Sequence, residues 1–299
     1  MTNPCSEAYL PSLPELRRCY DGAPRWNDKV GSGAKREGSE RFVSAFVHAE
    51  LPFSSDSSLN AKFGDVPKAL LPQSAATILR GNSAFKQWGR CAVVGNSGHL
   101  LRTTYGTQID GHDVVMRINQ APTKEYESFV GKRTTHRLLN RLWTLAYADN
   151  KGLSATYRSN ARKWPLERGV SLITSRTASE NFVTLAEFMA KSMRRRDVTT
   201  LPLNRPMVSK AEDMIKSFRH CAEKKLKKRF SGGNTASSGI VAALILRTLC
   251  NEVTLFGFGD ANSPGVKGEA SGKAYPYQYY KMGRTHRTAG NPVHRCAIS

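Results

Sequence analysis

The hydrophobic pattern of this chain is organised by a few short apolar runs, each ending in small or amide residues. Cys91 to Val94 is a run of strand type that breaks into Gly95-Asn96-Ser97-Gly98, after which Leu100-Leu101 opens a helix. A second strand-type run, Val114 to Ile118, carries Arg117 and ends at Asn119, followed by Ala121-Pro122. Near the C-terminus the pattern reads loop, helix, strand. Asn234, Thr235, Ser237 and Ser238 are N-cap types, Ile240 to Leu249 is an apolar helix, and Val253 to Phe256 is a strand closed by Gly257-Phe258-Gly259. Met214, Ile215, Phe218 and Cys221 recur at helical spacing. Residues 1 to about 85 are weakly patterned and rich in Pro, Ser and Gly, with short strand-like pieces such as Phe42 to Val47. They read as a variable, stem-like region (1–85) ahead of a folded domain (86–299).

The first pattern has a chemical meaning. A strand, a small-residue turn and a helix start make an anion site, because glycine lets the backbone approach a phosphate and unpaired helix N–H groups point at it. Asn96 and Ser97 add side-chain donors for a phosphate or a sugar hydroxyl. The cap serines before Ile240 repeat the arrangement. Taken alone, each turn is equally a tight strand-to-helix connection.

The combination says more. Cys91, the run Val93 to Gly98, Asp113, Arg117, Asn119, Ala121-Pro122, Gly131 and Thr134 to Arg137 closely resemble the long sialylmotif of the eukaryotic CMP-sialic acid sialyltransferases. Ser237-Ser238-Gly239, Cys250, Glu252-Val253 and Phe256 to Gly259 resemble the short sialylmotif, in the family's order. The resemblance implies an α/β fold: a Rossmann-like, GT-A-type glycosyltransferase domain with a mostly parallel twisted sheet flanked by helices. It also implies a disulfide between Cys91 and Cys250, and with it an oxidising lumen. The residues alone favour two buried free thiols, since six cysteines in 299 residues is not disulfide-dense. Cys5, Cys19, Cys221 and Cys296 remain unassigned.

Charge narrows the partners. The sequence has 45 Lys+Arg against 24 Asp+Glu, a net +21, which favours anionic ligands, polyanions or anionic surfaces. No zinc-finger spacing, helix-turn-helix signature or aromatic-interleaved repeat points to nucleic acid. The longest apolar runs fall far below the roughly 18 residues that span a bilayer. The N-terminus shows no leader pattern, and no Asn-X-Ser/Thr sequon occurs. Members of the resembled family are anchored in the Golgi by an N-terminal helix. The expectation is therefore a Golgi-lumen protein whose anchor is missing from this sequence, or one that resides elsewhere.

The resemblance assigns the donor site to Asn96, Ser97, Asn119, Ser237, Ser238, Gly239 and Gly259. The bland alternative for each asparagine is turn capping. No Asp-X-Asp element occurs, in keeping with the family's metal-independent chemistry; no cofactor is expected beyond the CMP-sugar donor itself. The family's third motif, a histidine ahead of paired aromatics, is similar to Tyr275 to Tyr280, with Gln278 at the histidine position and Tyr279 beside the donor. An aromatic packing patch is the alternative. The general base falls on His294, in Gly-X-X-Val-His at Gly290 to His294, with His286 as second candidate. The family's glutamate beyond that histidine is replaced by Ser299, so a missing or diverged C-terminal tail is expected.

The sequence therefore reads as a sialyltransferase. The resemblance implies transfer of sialic acid, or a related acidic sugar, from its CMP donor to a hydroxyl of a galactose-type glycan on a glycoprotein or glycolipid, with inversion and without a metal. The rivals are a degenerate member that binds CMP with little activity and a basic polyanion-binding protein.

Overall fold

The structure is a computed structural model that describes residues 88–203, 205–227, 230–231, 235–258, 276–281 and 297–298. The stem-like region 1–85 lies outside the described residues.

The chain begins with β1 (Trp88–Val94), a 3₁₀ turn at Gly98–Arg102, α1 (Gly106–Asp110), β2 (Val114–Ile118), α2 (Glu127–Val130), β3 (His136–Leu139), α3 (Arg141–Tyr147) and α4 (Ala155–Lys163). It continues through β4 (Ser171–Thr174), α5 (Ser179–Glu187) with a π-helical extension Phe188–Ser192, β5 (Thr199–Pro202) and α6 (Arg205–Leu226). Then come a short β6 (Phe230–Ser231), α7 (Ser238–Leu249), β7 (Cys250–Phe256) and β8 (Ala297–Ile298). The helix opened by Leu100-Leu101 is only the 3₁₀ turn, capped by Ser97, whose hydroxyl accepts the His99 N–H. The strand expected from Val253 starts at Cys250, directly after α7.

Six strands form one sheet in the order β5-β4-β3-β2-β1-β7, parallel throughout. A parallel sheet buried on both faces needs strands apolar on both sides, and β2 is buried at every position. Alternate residues divide between the faces. Cys91, Val93, Val114, Met116, Leu138 and Ile173 pack under α6 and α7. Ala92, Val94 and Val115 meet α1, α2 and the 3₁₀ turn, while Leu139 and Leu172 meet α3 and α5. This is the expected Rossmann-like α/β architecture.

Strand order reverses at β1, which has β2 on one side and β7 on the other. In open parallel sheets such a reversal marks where ligands bind, in the crevice outside the carboxyl ends of the strands. The disulfide Cys91–Cys250 ties these two strands, with Cα atoms 6.1 Å apart and a sequence separation of 159. The bridge implied by the resemblance is formed.

Candidate active site

At this switch point stands the turn that sequence reasoning singled out. Gly95 N–H donates to the Phe256 carbonyl (2.7 Å) and Ser97 N–H to that of Gly257 (3.3 Å), so the loops after β1 and β7 zip together beyond the sheet. The segment 276–281 closes the other side. Gly98 N–H donates to the Pro276 carbonyl (3.0 Å), and Tyr279 N–H donates to the Asn96 carbonyl (2.9 Å). These approaches explain the glycines. A Cβ on Gly95 would stand 2.5 Å from the Gly257 oxygen, and one on Gly98 would collide with Pro276.

α7 runs back from the carboxyl edge, so its N-terminus opens beside this turn. Ser237 caps it, accepting the Ile240 N–H at 3.2 Å, and Ser238 begins the helix. Gly239 lies against the ring of Phe258, just past β7, which fixes the helix start to the β7 loop. The N-terminal N–H groups of a twelve-residue helix are thus presented at the switch point.

Asn119 follows β2 in a left-handed conformation (φ 56°), which asparagine tolerates better than most residues. Its Oδ1 accepts the Asn140 N–H at 2.9 Å, and Asn140 in turn caps α3 through the Trp143 N–H. That leaves the donor side of the Asn119 amide for a ligand. Asn96 is oriented differently. Its Nδ2 donates to the Tyr280 hydroxyl (3.4 Å), which also receives Gln278 Nε2 (3.2 Å). Asn96 Oδ1 and Gln278 Oε1 are buried with no hydrogen-bond partner in the protein.

The remaining expected residues fall into two groups. Tyr279 is fully buried, its hydroxyl donates to the Pro122 carbonyl (2.5 Å), and burial raises its pKa. Its ring packs edge-on to Tyr126 and Tyr280. The side chain expected beside the donor is therefore enclosed in the core, and Tyr279 meets the site through its backbone. Gln278 is also buried, anchored to Tyr280. Gly259, His294 and His286 lie outside the described residues.

Sequence reasoning missed the charge network beneath the turn. Arg137 Nη1 donates to the Asn119 carbonyl (2.8 Å), Nη2 to that of Ala121 (3.1 Å), and Nε to Glu167 (2.9 Å), with Nη2 paired to the same carboxylate. Burial alone would lower the Arg137 pKa, but Glu167, together with Tyr147 and Tyr279, outweighs it and the net shift is upward. Burial alone would likewise raise Glu167, yet Arg137 holds it below the usual carboxylate range. Arg117 is fully buried. Desolvation lowers it to about 10, partly offset by the coulombic contribution of Tyr279. After β4, Arg176 donates to the Ala236 carbonyl next to the α7 cap and lies 3.8 Å from Glu212. Among the described residues no group of three or more His, Cys, Asp or Glu is placed to hold a metal ion.

The sequence profile of glycosyltransferase family 29 (sialyltransferase) matches residues 37–298. The chain belongs to this family. CMP-N-acetylneuraminate-beta-galactosamide-alpha-2,3-sialyltransferase 1 of Homo sapiens is 33% identical over 180 residues, 59% of this chain and 46% of that protein. The Sus scrofa protein of the same description is 32% identical over 177 residues, 59% of this chain and 45% of its own length. Sialyltransferase-like protein 2 of Arabidopsis thaliana is 55% identical over 56 residues, 19% of this chain and 13% of that protein. The chain spans about half the length of the curated relatives it matches. A crystal structure of a mammalian sialyltransferase in complex with Gal-beta-1-3GalNAc-ortho-nitrophenol aligns with a TM-score of 0.45 and 18% identity, covering 91% of this chain and 88% of that one.

Proposed function

We propose that this chain is a sialyltransferase that takes sialic acid, or a closely related acidic sugar, from its CMP donor and attaches it to a hydroxyl of a galactose-type glycan. The observation that carries the reading is the meeting of the Gly95–Gly98 turn and the start of α7 at the switch point of the sheet. There the phosphate lies against backbone N–H groups and the cap serines, and Asn96 and Asn119 hold the nucleotide.

The transfer is a single displacement. The acceptor oxygen attacks the anomeric carbon on the face opposite CMP, the carbon–oxygen bond to phosphate breaks, and its electron pair leaves with CMP. Configuration inverts. His294 takes the acceptor proton as general base. Gln278, held by Tyr280, serves the leaving group indirectly by fixing Asn96. No metal takes part; helix N-terminal donors carry the charge. The acceptor is a glycoprotein or glycolipid glycan, and the compartment is the oxidising Golgi lumen, which suits the Cys91–Cys250 bridge. No described helix is long and apolar enough to cross a membrane.

The deciding experiment is ligand-dependent melting followed by turnover. CMP at a hundred times its dissociation constant should add about 2.7 kcal/mol of stability, and UMP less. Transfer from CMP-sialic acid should survive EDTA, give the inverted anomer by NMR, and fall about a hundredfold or more in His294→Ala. No CMP-dependent shift overturns the donor site. CMP binding without turnover identifies the degenerate-enzyme reading instead, which the neutral, sequestered Gln278 favours.

A further inference from the structure

We infer that Glu167 is a positioning residue for the nucleotide site, acting through Arg137 on the backbone of Asn119. The inference rests on the reading of Asn119 as a nucleotide contact. Glu167 lies in the loop before β4, outside both motif blocks.

The geometry runs in one line. The Glu167 carboxylate pairs side-on with the Nε and Nη2 edge of Arg137 and accepts the Thr134 hydroxyl at 2.9 Å. Arg137, with its side chain 3% exposed, spends its remaining donors on the carbonyls of Asn119 and Ala121. Thr134 accepts Arg117 Nε at 2.9 Å, and Arg117 Nη2 holds the carbonyls of Val130, Gly131 and Arg133. One carboxylate thus serves a buried network containing two guanidinium groups. Without it, Arg137 would be a buried cation with no counter-charge, a state that structures avoid by moving the group toward water. Moving it releases the Asn119 carbonyl.

That release matters because Asn119 is not at rest. Its left-handed backbone is strained and persists only while its surroundings hold it. Asn119 N–H is fixed by the Leu138 carbonyl (2.8 Å) and Oδ1 by Asn140. The carbonyl is fixed by Arg137. Glu167 itself is braced from behind: Arg195 donates to the carbonyls of Leu166 (3.1 Å) and Glu167 (2.7 Å), and Asp197 accepts both Arg195 and the Gly169 N–H. The carboxylate is a rigid post at one end of a lever whose other end is the Asn119 amide.

The experiment measures CMP affinity by calorimetry, KM and kcat with the CMP-sugar donor, and unfolding without ligand. It uses the wild type, Glu167→Gln, Glu167→Asp, Asn119→Ala and the Glu167→Gln/Asn119→Ala double variant. Glu167→Gln keeps the shape and removes the charge. The expected result is CMP affinity and KM worse by about tenfold, on the scale of outer-shell substitutions, with kcat within about twofold. Glu167→Asp should recover part of the loss. Asn119→Ala in the Glu167→Gln background should add little, since both changes act on one contact. Leu185→Ala, a core truncation elsewhere, should lower stability without touching CMP affinity. The inference is overturned if Glu167→Gln, or Glu167→Asp where Gln does not fold, binds CMP like the wild type. It is equally overturned if the losses of Glu167→Gln and Asn119→Ala add fully. A wild type that binds no CMP overturns the nucleotide reading itself.

Discussion

The Tyr280 hydroxyl accepts the side-chain amide of Asn96 across 184 positions of the chain, at 3.4 Å, while receiving Gln278 from its own segment. A fully buried phenol therefore sets the orientation of a candidate ligand residue on the opposite side of the crevice. Tyr280→Phe keeps the ring and removes that acceptor. Leaving buried donors unpaired costs about 1–3 kcal/mol. Urea unfolding should show that loss, and calorimetry should show weaker CMP binding. Unchanged affinity would mean that Asn96 needs no such anchor.

Gly95→Ala tests the close approach of the β1 and β7 loops. The new Cβ would meet the Gly257 carbonyl oxygen at 2.5 Å, and backbone cannot yield as a flexible side chain does. The β1 and β7 loops should part, with CMP-dependent stabilisation lost and circular dichroism of the sheet retained. Gly169→Ala is a useful contrast. A Cβ on Gly169 would meet no atom within 4 Å, so only its positive φ (66°) is strained, and CMP binding should survive.

Reducing Cys91–Cys250, or replacing either cysteine by serine, should destabilise strongly. The closed loop spans 159 residues, for which the chain-entropy account gives about 5 kcal/mol. Thermal melts with and without reductant measure it. A double serine variant that melts within a degree or two of the wild type would show the bridge to be dispensable.

His136 predicts the acid side of the stability curve. Burial holds its pKa at about 4, against an ordinary value of 6.5. Between those values the unfolded chain binds the proton and the folded chain does not. Stability contributed by the neutral ring is complete above about pH 6.5 and declines as pH falls toward 4, by about 3 kcal/mol in all. His136→Gln should flatten that part of the urea-unfolding profile, whatever its effect at neutral pH.

What the sequence disclosed was local. The turn after β1 and the cap serines of α7 are each written in a few consecutive residues, because backbone geometry of that kind has few acceptable side chains. The resemblance to sialylmotifs joined the two blocks and with them Cys91 to Cys250. Strand order was not legible, since nothing near Val253 says that β7 pairs with β1. Glu167 was hidden for the same reason: its partner Arg137 is 30 positions away and no local pattern marks a buried ion pair. Tyr279 illustrates the limit of composition. An aromatic cluster shows that rings are wanted but not whether they face a ligand or a core, and here the ring faces the core.

The sheet order bears on how the protein is made. β1 to β5 emerge from synthesis long before β7, so β1 waits as an open edge with unpaired backbone groups and a free Cys91 thiol. Pairing across so many intervening residues is slow, and the interval exposes an apolar strand to other chains. When β7 docks, one event closes the edge, brings Cys250 to Cys91, and joins the two halves of the candidate site. A nascent chain stalled before that step would be sticky and would lack the proposed donor site.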